Sequence, residues 1–225
     1  DVDHVLNTNF KLSLGLWKWC AGYGIRFLYA SSAATYGDGG QGFDDDAAPE
    51  ALSRLRPLNP YGWSKHLFDR RIVRMLADGE PGPPQLVGLK FFNVYGPNEY
   101  HKGDQQSVVA GIFPDAKDGK PVRLFKSHHP DYQDGGQKRD FIWVGDCAEL
   151  VMWFIENADA SGLFNCGTGK ARSFADLATA VCRALGKEPR IEYVPTPEAI
   201  RGKYQYFTES KMDRLAAAGY DKPFT

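Results

Sequence analysis

Two short apolar segments, separated by a polar loop and a segment of helical periodicity, constrain the fold of this chain most strongly. Residues 25–30 (IRFLYA) and 86–92 (LVGLKFF) are mostly apolar runs that predict buried strands. A helix is predicted over residues 61–77, whose apolar residues recur at helical spacing: Leu67, Phe68, Ile72, Val73 and Met75. Strand, loop, helix and strand in this order are typical of a parallel sheet, so an α/β fold is predicted.

The rest of the chain alternates in the same way. Further helices are predicted over residues 5–20 (largely buried), 106–116, 146–157 and 174–185, the last capped by Ser173. Further strands are predicted over residues 122–125, 140–144, 163–165 and 191–194, with polar loops at 37–60 and 126–138. Because segments typical of the two lobes alternate along the chain, we expect two lobes that share a sheet region.

Composition and charge exclude several classes of function. The chain has 225 residues, of which 43% are hydrophobic and 24% charged, and its formal net charge is −1. A near-neutral balance gives no electrostatic basis for nucleic acid or anionic membranes as main partners. No apolar run approaches the roughly 20 residues of a membrane-spanning helix. We therefore expect neither a nucleic-acid partner nor a membrane.

The four cysteines, Cys20, Cys147, Cys166 and Cys182, are widely separated, and no pair has CxxC spacing. This pattern predicts neither a structural metal site nor a disulfide framework. Four acidic or imidazole side chains lie in the 126–138 loop (His128, His129, Asp131 and Asp134), but their spacing fits no metal site. No metal is expected. The cysteines are expected to be buried thiols of a protein in a reducing, cytoplasmic compartment.

Tyr61 and Lys65 form a YxxxK pattern at the start of the predicted helix. A spacing of four residues places both side chains on one helix face. A lysine ammonium near a phenol favours the phenolate, which can act as a general base. Alone the pattern is weak, since surface pairs of tyrosine and lysine are common.

Polar side chains at two strand ends strengthen this interpretation. Ser32 and Thr35 follow the first predicted strand, and Asn93 follows the second. Open α/β sheets place their ligands at the carboxyl ends of strands. A hydroxyl there can hold a reacting oxygen while Tyr61 moves the proton.

These patterns together resemble the extended short-chain dehydrogenase/reductases, in their nucleotide-sugar epimerase/dehydratase branch. Within that branch the chain is similar to the ADP-heptose 6-epimerases. The resemblance covers nearly the whole chain and lies in SSAATYG, PLNPYGWSK, KFFNVYGPNEYHKG, KRDFIWVGD, NCGTGKARSF, RGKYQYFT and AAGYDKPF. The most discriminating piece is His101-Lys102-Gly103, which more general relatives lack.

The resemblance implies a Rossmann-like doubly wound parallel sheet with a smaller α/β substrate lobe. No GxxGxxG turn occurs in the sequence, so the N-terminal part of the dinucleotide-binding domain is expected to be missing. The remaining half of that domain is expected over 1–96, with contributions from about 140–170. The substrate lobe is expected over about 97–139 and 171–225.

The family implies inversion of carbon six of ADP-D-glycero-D-manno-heptose through transient oxidation with tightly bound NADP, NAD being possible. By resemblance Tyr61 and Lys102 handle protons on the two faces of the ketone, and a partly desolvated lysine can act as a base. Ser32 would hold the reacting oxygen. Lys65 would bind the nicotinamide ribose and tune Tyr61.

Binding roles are implied in the same way. The resemblance places Asn9, Val94, Lys65 and Lys102 against the cofactor. It implies that the substrate is bound by Ser32, Asn93, Phe125, Lys126, Ser127, Arg139 and Tyr204. Arg139 is suited to binding a diphosphate. It further implies a homo-oligomer, and a role in supplying heptose to the lipopolysaccharide core.

Two alternatives stay open at this point. One is a different nucleotide-sugar 4-epimerase or a dehydratase of the same superfamily. A dehydratase needs a carboxylate beside the serine, and Ala33, Ala34 and Thr35 provide none. The other is a non-catalytic fragment without a cofactor site. Asp104 and Gly111 depart from the family pattern and leave the sugar and nucleotide preference open.

Overall fold

A computed structural model describes residues 2–201 and 204–225. Its strands are β1 (Phe27–Ser32), β2 (Leu86–Phe91), β3 (Asn93–Tyr95), β4 (Val122–Phe125), β5 (Lys138–Trp143), β6 (Gly162–Cys166), β7 (Ala171–Ser173) and β8 (Ile191–Val194). Its α-helices are α1 (Val2–Leu6), α2 (Ser13–Tyr23), α3 (Pro49–Arg54), α4 (Pro60–Ala77), α5 (Val108–Lys117), α6 (Val144–Glu156), α7 (Phe174–Ala184), α8 (Glu198–Arg201) and α9 (Asp213–Ala217). A π-helix spans Asn7–Leu12, and 3₁₀ segments span Ala33–Tyr36 and Tyr100–Gln105.

The chain divides into two compact units. The first comprises the described part of residues 1–92 together with 148–166 and 210–223. The second comprises residues 93–147, 167–209 and 224–225, again as far as they are described. Both units are therefore built from segments that are distant in the sequence.

The first unit contains a parallel sheet in the order β1-β2-β6. Parallel strands covered on both faces require largely apolar runs, and β2 is apolar apart from Lys90. One face of the sheet packs with α4 and α2 through a cluster of Trp17, Phe68, Ile72, Met75 and Leu86. A second apolar cluster of the unit comprises Tyr36, Phe43, Leu52, Leu55, Phe92 and Leu163.

The second unit contains two small sheets. One has the order β3-β5-β7, with β3 and β5 parallel and β5 and β7 antiparallel. The other pairs β4 with β8 in parallel. A separate core, including Ile112, Val122, Leu124 and Ala178, joins α5 and α7 to the second of these sheets. The predicted α/β class is confirmed.

The predicted helix over 5–20 is the largest difference in local structure. The segment is helical, but it passes through the π-helix, and only Trp17 and Cys20 of α2 are buried. Leu12, Leu16 and Trp19 are exposed, so the prediction of a largely buried helix is wrong. Apolar residues on every side of a helix do not show which side is covered. The predicted 37–60 loop also contains α3, which begins at a proline.

Residues 210–223 return to the first unit, whereas the sequence places about 171–225 in the substrate lobe. The Lys211 amide donates to the Phe43 carbonyl, and the Tyr220 ring packs against Trp153 at 5.5 Å. Residues 140–147 lie in the second unit, outside the range expected for them. Tertiary contacts of this kind leave no local sequence pattern.

The four cysteines are buried, and none forms a disulfide in the part of the chain described. Within the described ranges no helix has the length and apolar character needed to cross a bilayer. In the same ranges no three His, Cys, Asp or Glu side chains are arranged to hold a metal ion.

Candidate active site

Helix α4 begins with a set of residues that fix the position of Tyr61. The Asn59 side chain caps the helix by accepting a hydrogen bond from the Gly62 amide at 2.8 Å. Pro60 occupies the first turn, where its missing N–H costs nothing. Tyr61 is 46% exposed, so its phenol is accessible to a ligand.

The turn after β1 places Ser32 beside this helix start. The Ser32 side chain accepts a hydrogen bond from the Ala34 amide at 3.1 Å, which begins the 3₁₀ turn. A Cβ on Gly62 would lie 2.7 Å from the Ala34 carbonyl oxygen. Only glycine therefore lets α4 approach the turn so closely, and the predicted proximity of Ser32 to the YxxxK helix has a structural basis.

Lys65 lies one turn after Tyr61 on α4. Its Nζ is 6.0 Å from the centroid of the Tyr61 ring and donates to the Ala30 carbonyl at 2.9 Å. Burial lowers the pKa of Lys65, and the negative charge of Asp69 opposes that change. The ammonium is thus held between β1 and Tyr61.

Asn9 lies in the π-helix and contacts α4 through its side chain. Its Nδ2 donates to Ser64 Oγ at 3.1 Å, and Ser64 Oγ donates to the Tyr61 carbonyl at 2.7 Å. The structure therefore links Asn9 to the backbone of Tyr61. Its expected contact with a cofactor stays a prediction.

One charged pair, which the sequence did not predict, joins α4 to β2. Asp69 on α4 and Lys90 on β2 are fully buried and form an ion pair of 3.1 Å. Two signals could have found them. Lys90 interrupts an apolar strand, and Asp69 continues the four-residue spacing of Tyr61 and Lys65.

The second unit holds the other strand-end residues. Asn93 and Val94 begin the short strand β3, and Asn93 is exposed. Lys102 lies in the 3₁₀ segment, where its side chain is 45% exposed and its Nζ is 3.5 Å from Glu99 Oε2. Gly103 follows with φ +53°, a conformation that favours glycine. Glu99 was not identified from sequence.

Residues expected to hold the nucleotide gather around an aromatic cluster of the second unit. The Tyr204 ring is 6.2 Å from Phe125, and the Arg139 guanidinium lies 5.6 Å from the Tyr204 ring. Arg139 is only 8% exposed and donates to the carbonyls of Lys138 and Gln205. Burial lowers the pKa of Arg139 and raises that of Tyr204.

Lys126 and Ser127 continue from β4 beside this cluster. The Lys126 amide donates to the Val194 carbonyl at 2.8 Å, and its side chain is exposed. The Ser127 amide donates to Asp134 Oδ1 at 2.8 Å. The structure thus brings Phe125, Lys126, Ser127, Arg139 and Tyr204 to one region, whereas their binding roles stay predictions.

Two residues of the RGKYQYFT segment, Gly202 and Lys203, lie outside the described residues, as do Asp1 and the side chain of Asp104. Gly111 lies on α5, where an added Cβ would have no described atom within 4 Å.

The first unit's residues fit the ribose end of a nicotinamide cofactor. Lys65 uses one of its three N–H donors on the Ala30 carbonyl, and its remaining donors suit vicinal hydroxyl groups. Tyr61, one turn earlier on α4, is exposed. The residues that would hold a ribose are therefore Lys65 and Tyr61.

The sequence of the chain is similar to those of known proteins. The NAD dependent epimerase/dehydratase family matches residues 1–167. An ADP-L-glycero-D-manno-heptose-6-epimerase of Nitratidesulfovibrio vulgaris (strain DP4) is 52% identical over 225 residues, all of this chain and 68% of the relative. One from Fusobacterium nucleatum is 44% identical over 99% of this chain and 68% of the relative.

Solved structures give the same result. The heptose-6-epimerase of Helicobacter pylori matches with TM-score 0.75 and 27% identity, over 98% of this chain and 62% of that one. The UDP-glucose 4-epimerase of Thermus thermophilus, solved with NAD, matches with TM-score 0.69 and 28% identity, over 95% and 64%. The chain thus spans about two thirds of the length of these relatives. With its sequence matched over most of its length and its Ser32, Tyr61 and Lys65 together at one strand end, the chain belongs to the NAD dependent epimerase/dehydratase family.

Proposed function

We propose that this protein is an isomerase that inverts carbon six of ADP-D-glycero-D-manno-heptose to give ADP-L-glycero-D-manno-heptose. One observation carries the proposal: a heptose-6-epimerase is 52% identical over the whole chain, the span that contains Ser32, Tyr61, Lys65 and Lys102. The product would supply heptose for the lipopolysaccharide core, as the resemblance implies.

The first unit supplies one proton-handling group. Tyr61 takes the proton from the reacting hydroxyl on one face of carbon six, and the proton that completes the inverted alcohol comes from the group on the other face. The Lys65 ammonium, held by the Ala30 carbonyl, lies 6.0 Å from the centroid of the Tyr61 ring. The Ser32 hydroxyl orients the reacting oxygen from the turn that Gly62 allows α4 to approach.

The second unit supplies the other group. Inversion requires a proton donor and acceptor on each face of the sugar carbon, and Lys102 is the candidate for the second face. Its exposed ammonium can reach a ligand while Glu99 holds the segment that carries it. Asn93 contacts the sugar, and Phe125, Lys126, Ser127, Arg139 and Tyr204 hold the ADP portion.

A nicotinamide cofactor supplies reversible hydride acceptance when bound. We propose NADP as that cofactor, with NAD as the alternative. Lys65 holds its ribose, and Val94, Asn9 and Lys102 lie against it. A native mass spectrum of the protein isolated in full tests this: one retained NADP per subunit supports it, and retained NAD contradicts it.

The decisive assay follows heptose inversion directly. The full protein is incubated with ADP-D-glycero-D-manno-heptose, and the two epimers are separated by chromatography. Tyr61→Phe and Lys102→Met should each lower kcat by about 100- to 10,000-fold, since each removes one proton-transfer group. Lys126→Met, in a binding role, should raise KM instead. Turnover of UDP-glucose without turnover of the heptose would replace the proposal with a 4-epimerase.

We also propose that the protein works in the cytoplasm as a homo-oligomer. Four buried thiols suit a reducing compartment. Exposed apolar residues on α2, including Leu16, Trp19 and Tyr23, form the kind of surface that a partner covers. Light scattering behind size-exclusion chromatography should give a multiple of the subunit mass, and a monomer would contradict the oligomer.

A further inference from the structure

A buried ion pair in the first unit needs an explanation beyond stability. Asp69 and Lys90 are both fully buried, and their charged atoms are 3.1 Å apart. Apolar residues of similar volume are often as stabilising as a buried ion pair, because they avoid desolvating two charges. The pair therefore fits a role in fixing geometry better than a role in holding the core together.

Lys90 connects to the turn that carries Ser32. Its Nζ donates to Thr35 Oγ1 at 2.8 Å, and Thr35 Oγ1 donates to the Ser32 carbonyl at 2.8 Å. The ammonium also lies 4.8 Å from the centroid of the Tyr36 ring. Movement of Lys90 would therefore be transmitted to the backbone of Ser32.

Asp69 connects strands β1 and β2 to α4. Its carboxylate accepts from Tyr29 and Ser31 of β1, each at 2.7 Å, in addition to Lys90. Tyr61, Lys65 and Asp69 are spaced four residues apart, so they form one stripe along the helix. Asp69 thus anchors to β1 and β2 the stripe that carries the proposed catalytic groups.

We propose that Asp69 and Lys90 are positioning residues that hold the Ser32 turn and the Tyr61–Lys65 stripe of α4 in register. The proposal rests on the proposed function, because it takes Ser32, Tyr61 and Lys65 as the reacting set. Neither Asp69 nor Lys90 touches substrate, since both are fully buried.

The pair also sets the electrostatic surroundings of Lys65. Asp69 faces Lys90 from β2, Tyr29 and Ser31 from β1, Tyr36 from the turn, and Lys65 and His66 on α4. Replacing Lys90 leaves the charge of Asp69 unbalanced, which raises the pKa of Lys65. Replacing Asp69 leaves Lys90 unbalanced and removes the attraction, which lowers the pKa of Lys65.

The test measures heptose inversion by the full protein and its variants. Lys90→Met and Asp69→Asn should lower kcat by about 10- to 100-fold with KM changed less than about threefold, as expected for misplaced catalytic groups. The alkaline limb of the kcat profile should move to higher pH in Lys90→Met and to lower pH in Asp69→Asn. A merely structural role would not move the limb in opposite directions.

The double variant Asp69→Leu/Lys90→Met guards against simple unfolding, because it leaves no unpaired buried charge. It should keep the thermal midpoint near that of the parent but still lose kcat. Arg74→Met/Asp78→Asn is the matched control, since it removes an exposed ion pair at the end of the same helix. It should leave kcat and the pH profile unchanged.

The outcomes separate the two proposals. Absence of heptose inversion in the unmodified protein overturns the proposed function. An active parent whose folded double variant keeps kcat within about twofold and an unmoved alkaline limb overturns the positioning role. Should both single variants fail to fold, the double variant is compared with Thr35→Val, which removes the hydroxyl that joins Lys90 to the Ser32 carbonyl. A lowered kcat in both supports the positioning role, and a kcat within about twofold of the parent in both overturns it.

Discussion

Lys102 Nζ lies 3.5 Å from Glu99 Oε2, and Glu99 is only 6% exposed. The same carboxylate accepts from the Ser107 hydroxyl at 2.7 Å, the Ser107 amide at 2.8 Å and the Gly96 amide at 3.1 Å. Burial acts to raise the pKa of Glu99, but these hydrogen bonds outweigh it and the pKa lies below its usual value. Glu99 therefore organises the whole segment that presents Lys102.

Glu99→Gln should weaken this segment. The amide carries no charge, and its NH₂ group cannot accept from the donors around it, so we expect a loss of about 1–3 kcal/mol in unfolding free energy. Inversion should fall further than stability explains, because Lys102 loses its support. Urea denaturation and kcat measure the two effects. Glu188→Gln, at an exposed site of the same unit, should change neither; unaltered kcat in folded Glu99→Gln would separate Glu99 from Lys102.

Gly62→Ala should displace α4 from the Ser32 turn. The added Cβ would lie 2.7 Å from the Ala34 carbonyl oxygen, and backbone at that distance must move. We expect a loss of about 1–3 kcal/mol in stability from this overpacking, and a lower kcat. Gly111→Ala is the control, because α5 has open space there and alanine should raise stability by about 0.5–1 kcal/mol. Equal effects of the two substitutions in thermal melts would refute the close approach.

Asn59→Ala should remove the cap of α4. The Asn59 side chain accepts from the Gly62 amide at 2.8 Å, and loss of such a cap costs about 1 kcal/mol. Ser173→Ala removes the equivalent cap of α7 and should cost a similar amount. Only Asn59→Ala should also lower kcat, since Tyr61 lies in the turn that the cap orders. Matching losses of kcat in the two variants would argue against this link.

His66 should make stability depend on pH. It is fully buried beside Trp63, and neither ring nitrogen has a hydrogen-bond partner among the described residues. Burial, aided by the charge of Lys90 and opposed by Asp69, lowers the pKa of His66 to about 4. Between about pH 4 and 6.5 the unfolded chain binds a proton that the folded chain does not, so stability falls as pH falls.

The measurement is the thermal midpoint across that pH window. His66 contributes at most about 1.4 kcal/mol per pH unit to the slope of the unfolding free energy against pH. His66→Leu should reduce that slope by the same contribution. His101→Gln, at an exposed position, should leave the slope unchanged. A parent and a His66→Leu variant with parallel profiles would show that the imidazole does not titrate on unfolding in this range.

Local patterns were enough for the α/β class and most of its elements. The strands over 122–125 and 191–194 have their predicted bounds, and α4, predicted from residue 61, begins at Pro60. The Ser173 cap of α7 also lies where the sequence predicts it. These features depend on apolar periodicity, on a cap side chain or on proline, all of which act within a few residues.

The structure alone decided which apolar and charged residues are buried. Trp17 and Trp19 are two residues apart on α2, yet one is 1% and the other 52% exposed, because only one side of the helix meets the sheet. Lys90 is visible in the sequence as a break in an apolar strand, but its partner Asp69 lies 21 residues earlier. The chain by itself determined the fold class and the candidate chemistry of Ser32, Tyr61 and Lys65. Which distant groups hold that chemistry in place was decided by tertiary packing, since a buried charge is tolerated only where the fold brings its partner to it.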